Sequence, residues 1–145
     1  GRDCGIDGIV LPDVPYEERD EFLPYCRDAG IDLISMIAPT SAGRIAMIAR
    51  EAEGFVYVVS SLGVTGARGE ITTDISSIVS VIRDVTSVPC AVGFGISRPG
   101  QAREMAELAD GVIVGSAIVR LLEKYGAAAP AHIRDYVREM KAAMI

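Results

Sequence analysis

Two kinds of apolar pattern alternate along the chain. Short, nearly continuous apolar runs occur at Gly8-Ile9-Val10-Leu11, at 33–38, at Phe55-Val56-Tyr57-Val58-Val59, at Cys90-Ala91-Val92 and at Val112-Ile113-Val114. A run of that length, without strict alternation, is the pattern of a strand buried on both faces. Between the runs, apolar residues recur three and four positions apart. Phe22, Leu23 and Cys26 form the first such stripe, and Ile45, Ile48, Ala49 and Ala52 the second. The next are Ile75, Ile78, Val79 and Ile82, then Ala102, Met105, Ala106 and Ala109, then Ile118, Leu121 and Leu122 facing inward. After a break from Gly126 to Pro130, a last stripe runs through Ile133, Tyr136, Val137 and Met140. Such spacing predicts amphipathic helices with one face on a core.

The punctuation agrees with this division. Pro15 and the acidic pair Glu17-Glu18 suit a helix start, and Gly30 a helix stop. Pro24 either kinks that helix or opens a second segment. Asp74 and Ser97 are placed to cap the helices that follow them, and Gly115-Ser116 opens the next helix directly from a strand. Arg2-Asp3-Cys4 before Gly5 reads as the last turn of a helix with its glycine stop, so the chain is expected to begin inside a larger fold. Strand followed by helix, five times over, predicts an α/β fold with a parallel sheet and right-handed crossovers. Asp13, Thr40, Thr65-Gly66, Gly93-Phe94-Gly95 and Gly115-Ser116 then all follow strands. They are expected to share the carboxyl end of the sheet, where proteins of this class bind ligands.

Composition narrows the function classes. With 145 residues, half of them apolar, the chain suits one domain, 1–145. No apolar run approaches the roughly 18 residues of a membrane span, and no signal-peptide pattern opens the chain, so a soluble cytoplasmic protein away from membranes is expected. A net charge of −6 with scattered basic residues argues against nucleic acid. Cys4, Cys26 and Cys90 are odd in number, lack C-x-x-C spacing and sit among apolar residues. They read as buried reduced thiols, with no metal site. The one histidine, His132, lies in a helical pattern and is expected at the surface. No cofactor is expected.

Two features carry candidate chemistry. The long connection Ser60–Glu70, with Gly63, Gly66 and Gly69, is either a loop that closes on a ligand or a disordered surface loop. Gly93-Phe94-Gly95 and Gly115-Ser116-Ala117 end two successive strands, a form that suits phosphate. Backbone N–H groups of Gly95, Ser116 and Ala117, with the Ser116 hydroxyl, would be the donors. The bland alternative is that these glycines only permit tight turns. A dinucleotide motif is the rival, but Arg98 stands where its third glycine belongs.

These segments resemble a known family, the tryptophan synthase alpha chains. Leu11-Pro12-Asp13-Val14-Pro15, Gly63-Val64-Thr65-Gly66-Ala67, Gly93-Phe94-Gly95-Ile96-Ser97 and Gly111 to Val119 look like its later signature segments, in order and at its spacing. The resemblance implies a TIM (β/α)8 barrel and the retro-aldol cleavage of indole-3-glycerol phosphate to indole and glyceraldehyde 3-phosphate, a lyase step of tryptophan biosynthesis. It further implies that Thr65 and Gly66 belong to a lid loop, that Gly66, Gly95, Ser116 and Ala117 hold the substrate phosphate, and that Phe94 and Tyr57 line the indole pocket. A full barrel needs about 250 residues, and five of eight units roughly 155, so the resemblance is to units four to eight. The family's catalytic glutamate and aspartate belong to an earlier unit, and no catalytic residue is assigned here. Asp13 is read as a hydrogen-bonding or partner-contact residue. The expected partners are the beta chain for a full-length alpha chain, a small phosphorylated substrate, and, for a partial barrel, a second copy or the missing half. The alternative function is a non-catalytic phosphate-binding or assembly module.

Overall fold

The computed structural model describes residues 1–60, 74–93 and 95–145. Strands β1 (Gly8–Val10), β2 (Asp32–Ile37), β3 (Val56–Val59), β4 (Cys90–Gly93) and β5 (Gly111–Val112) form one sheet in sequence order, and every neighbouring pair is parallel. The helices are α1 (Leu23–Ala29), α2 (Ala42–Arg50), α3 (Ile75–Arg83), α4 (Pro99–Ala106), α5 (Ser116–Tyr125) and α6 (Ala129–Ala143). None of the described helices is long and apolar enough to cross a membrane.

The register sorts the strand residues onto two faces. Ile37, Val58, Val92 and Val112 align across the sheet and pack with Ile45, Ile48, Ile75, Ile78, Ile82 and Met105 from the helices. Met36, Tyr57, Ala91 and Gly111 align on the opposite face, which Val10 and Ile34 extend toward β1. The core therefore lies on one side of the sheet, between strands and helices.

That arrangement corrects the expectation of strands buried on both faces. β1 is exposed along its whole length, with Ile9 39% and Val10 37% exposed, because among the described residues it is hydrogen-bonded to β2 alone and forms an edge. α5 is corrected in the same way. No residue of it is buried, and Leu122, expected inward, is 49% exposed, since the helix leans on α6 rather than on the sheet. β5 is also displaced from 112–114 to Gly111–Val112, although the Ile113 N–H still reaches the Val92 carbonyl at 2.8 Å. Cys90 is buried and Cys26 partly so, but Cys4 is exposed on a 3₁₀ turn, none of whose residues is buried. His132 lies at the surface, its ring stacked 3.6 Å from Tyr125.

The local signals act as their chemistry requires. Gly5 and Gly30 end their turns at φ 72° and 67°, in the left-handed region where a Cβ is costly. Pro24 opens a second segment. A 3₁₀ turn, Tyr16–Glu21, precedes α1, and the proline sits in the first turn of α1, where its missing N–H costs nothing. The Asp74 carboxylate accepts the Ser77 N–H at 3.1 Å, as an N-cap should. Ser97 is not the cap of α4. Arg98 holds that position, and the Gln101 side-chain oxygen takes the N–H groups of Ser97 (3.0 Å) and Arg98 (3.1 Å), serving two donors where a serine hydroxyl serves one.

The 3₁₀ turn after β1 is pinned to α2 by charge. Arg44 donates to both carboxylate oxygens of Glu17, at 2.6 and 3.1 Å, which holds the Glu17 carboxyl down at about 2. Arg19, 7% exposed, donates to the Glu51 carbonyl at 3.2 Å and lies over the Tyr16 ring.

At the opposite end of the sheet from the loops that follow the strands, Asp110 ties β4 to the start of β5. Its carboxylate accepts the N–H of buried Cys90 at 2.9 Å and faces Arg83 at 3.5 Å. The Cys90 hydrogen bond first, and Arg83 after it, hold the Asp110 carboxyl below its usual range. A depressed carboxylate stabilises the fold fully above its unfolded value of about 3.9 and loses that contribution as pH falls through the folded value. Asp110→Ala leaves the Cys90 amide without its acceptor and is expected to cost about 1–3 kcal/mol in urea unfolding at neutral pH. The difference between variant and wild type is expected to shrink below about pH 4. Equal urea midpoints at pH 7 would remove Asp110 from this role.

Candidate functional site

β4 and β5 are neighbours, with Val92 opposite Val112, so the turns that follow them leave the same edge of adjacent strands, about 5 Å apart. After β4 the chain turns at Gly95, φ 83°, a conformation that L side chains rarely adopt. After β5 it turns at Gly115, the N-cap of α5, which has no side chain to offer the helix. Ser116 and Ala117 are the first residues of α5, and their N–H groups have no carbonyl of the preceding turn behind them. These donors and the positive end of α5 point to where an anion is favoured. Gly95, Ser116 and Ala117 thus all follow the carboxyl ends of two adjacent strands, at the same end of the sheet. All three are partly exposed, as a site open to a ligand must be.

Tyr57 approaches the same turns from the open face of β3. Its ring lies against Gly93: a Cβ there would fall 2.6 Å from the ring carbons Cε1 and Cζ. Only glycine at 93 lets the tyrosine lie flat across β4. Burial pushes the Tyr57 hydroxyl above its ordinary value, so the ring presents a neutral, half-buried aromatic wall. Ser60, fully buried, donates its N–H to the Gly93 carbonyl at 3.0 Å and fixes where the chain leaves β3. Thr65, Gly66 and Phe94 lie outside the described residues.

Asp13 does not join this group. It is exposed in the loop after β1, and β1 is at the far end of the strand order from β5. Its place beside the charge-pinned 3₁₀ turn suits a surface contact rather than a role near Gly95. Sequence reasoning named Gly93 in a candidate turn but not its role, which is to admit Tyr57, and it missed two residues that shape the site: Gln101, which holds the turn after Gly95, and Tyr136, whose hydroxyl donates to the Ser97 carbonyl at 3.0 Å. Gln101 was legible as the glutamine at the third position of a helix that begins with Pro99. No local signal marks Tyr136, because its partner is 39 residues away.

Comparison with known proteins decides what this arrangement belongs to. The family model described as tryptophan synthase alpha chain matches residues 2–144. The chain belongs to the tryptophan synthase alpha chain family. It is 49% identical over 142 residues to the tryptophan synthase alpha chain of Lacticaseibacillus casei, covering 98% of this chain and 53% of that one. With the alpha chain of Lactiplantibacillus plantarum it shares 52% over 144 residues, 99% of this chain and 54% of the relative. Among solved structures, tryptophan synthase of Mycobacterium tuberculosis superposes with a TM-score of 0.83 at 33% identity, covering 99% of this chain and 53% of that one. A chain of the Pyrococcus furiosus tryptophan synthase α2β2 complex gives 0.82 at 34%, covering 97% and 58%. The chain spans about half the length of the curated relatives it matches. As a tryptophan synthase alpha chain sequence, its five parallel β/α units are part of a TIM barrel, and the open face of its sheet is the face such a barrel turns inward.

Proposed function

We propose that the chain supplies the phosphate-holding side of a tryptophan synthase alpha subunit, a lyase that splits indole-3-glycerol phosphate into indole and glyceraldehyde 3-phosphate. The observation that carries this reading is the pair of glycine turns, at Gly95 and at Gly115–Ser116, on the same edge of adjacent strands in a chain of this family. In this reading the N–H groups of Gly95, Ser116 and Ala117 and the Ser116 hydroxyl bind the phosphate, with Gly66 as a further donor. Tyr57 and Phe94 flank the indole ring, and Thr65 and Gly66 close over the substrate. Asp13 belongs to the surface that meets a partner. The beta chain is the partner expected of a whole alpha subunit, as in the α2β2 complex of Pyrococcus furiosus.

The cleavage itself needs two proton transfers. A base removes the proton of the glycerol hydroxyl beside the breaking carbon–carbon bond, and an acid protonates the indole carbon that leaves. The strand-end residues of this chain offer donors for an anion and an aromatic wall, which hold and orient the substrate. Among the described residues Asp13 is the one carboxylate within three residues of a strand's carboxyl end, and it stands apart from them. The carboxylates are therefore assigned to the rest of the barrel. The expected result is no turnover of indole-3-glycerol phosphate by this chain alone, and turnover when it is mixed with a chain supplying barrel units one to three. A rate well above background from this chain alone would refute the division of labour. Phosphate binding with no turnover in the mixture would favour the non-catalytic module instead.

A further inference from the structure

We propose that Tyr136, on the last helix, is a positioning residue for the turn that carries Gly95. The inference rests on the phosphate reading above and adds to it a residue from outside the strand-end loops. α6 packs against both α4 and α5, the two helices whose first turns flank the site. From it the Tyr136 hydroxyl donates to the Ser97 carbonyl at 3.0 Å. On the other side of the same residue, the Gln101 side-chain oxygen, buried within α4, accepts the Ser97 N–H at 3.0 Å and the next N–H, of Arg98, at 3.1 Å. Both backbone groups of Ser97 are thus held. Ile96, 4% exposed, anchors the residue before it in the core.

Three successive residues after Gly95 are therefore fixed, by packing at Ile96, by two hydrogen bonds at Ser97 and by one at Arg98. Gly95, at φ 83°, leads into them. Where Ser97 is held therefore constrains how the turn at Gly95 can lie. A donor already aimed at an anion binds it without reorganising, and each anchor lost from behind the turn gives back part of that advantage. Gln101 is built into the helix start and would be needed for α4 in any case. Tyr136 reaches the turn from 39 residues away, and phenylalanine would keep its ring packing while deleting only the bond.

The test uses the 145-residue chain and glycerol 3-phosphate, titrated by calorimetry, with amide hydrogen exchange measured in parallel. Tyr136→Phe is expected to weaken glycerol 3-phosphate binding about three- to tenfold, the equivalent of one hydrogen bond, and to speed exchange at Ser97 and Arg98. Met140→Ala, a cavity in the core face of the same helix, is expected to lower global stability and leave the affinity unchanged. If Gly95→Val loses binding while Tyr136→Phe keeps both wild-type affinity and slow exchange at Ser97, the phosphate site stands and the role of Tyr136 is overturned. That role is overturned equally if Met140→Ala weakens binding as much as Tyr136→Phe, since helix packing in general would then be responsible. A wild-type chain that binds no glycerol 3-phosphate overturns the phosphate reading, and the Tyr136 proposal falls with it.

Discussion

Replacing Gly95 with valine is expected to cost the chain its affinity for phosphate by a factor of ten or more while the sheet and helices stay folded. Two effects add. Gly95 sits at φ 83°, where a β-branched side chain is strained by about 1–3 kcal/mol, so the turn moves to relieve it. The new side chain also stands where an anion would approach the N–H groups of Gly95, Ser116 and Ala117. Losing one donor to a charged group is worth about 1.5–3 kcal/mol, or about ten- to a hundredfold and more in affinity. Ser116→Ala, by contrast, removes one hydroxyl and leaves the backbone donors of α5 in place, at about 0.5–1.5 kcal/mol. Titration with glycerol 3-phosphate, beside circular dichroism of each variant, measures both. Equal affinity in wild type and a folded Gly95→Val protein would move the site elsewhere.

Self-association of the isolated chain is the second large effect expected. Among the described residues, the face of the sheet that carries Val10, Met36, Tyr57 and Ala91 has no helix layer over it, and β1 presents an unpaired edge with Ile9 39% and Val10 37% exposed. Apolar sheet faces and free edges bury themselves against a partner when one is available. A two-fold pair with the open faces together covers both at once, and the other units of a barrel would do the same. Light scattering over a dilution series is expected to show a dimer at micromolar concentration. Val10→Asp and Ile113→Asp place a carboxylate on this face, near opposite edges of the sheet, and each occurs twice in a two-fold interface. An unpaired buried carboxylate costs several kcal/mol, so either change should weaken the dimer by at least about a hundredfold. A well-folded monomer that stays monomeric at micromolar concentration would show that the open face is covered from within the chain. Substitutions on the outer helices, such as Val137→Asp, are expected to leave the dimer intact.

Much of this was legible in the amino-acid sequence because it is local. Gly5 and Gly30 end their turns in the left-handed region and Asp74 caps α3, each through the geometry of a few adjacent residues, whereas at Pro24 the structure chose between a kink and a second segment. The order of strands and helices follows from apolar spacing, and with parallel crossovers that order places Gly95 and Ser116 at one end of the sheet. What the tertiary structure alone decided is long-range. The apolar run at β1 has the composition of a doubly buried strand, yet burial needs neighbours on both sides, and among the described residues β1 is paired with β2 alone. The stripe on α5 predicts an inward face, but the helix found α6 rather than the sheet and left Leu122 49% exposed. The N-cap of α4 passed from Ser97 to Arg98, because the Gln101 carboxamide oxygen one turn into the helix can accept the backbone N–H groups of both residues at once. Tyr136 reads in the sequence as one more apolar position on a helix. Only folding brings its hydroxyl to the Ser97 carbonyl, because the bond depends on how α6 lies across α4, and no spacing within either helix encodes that.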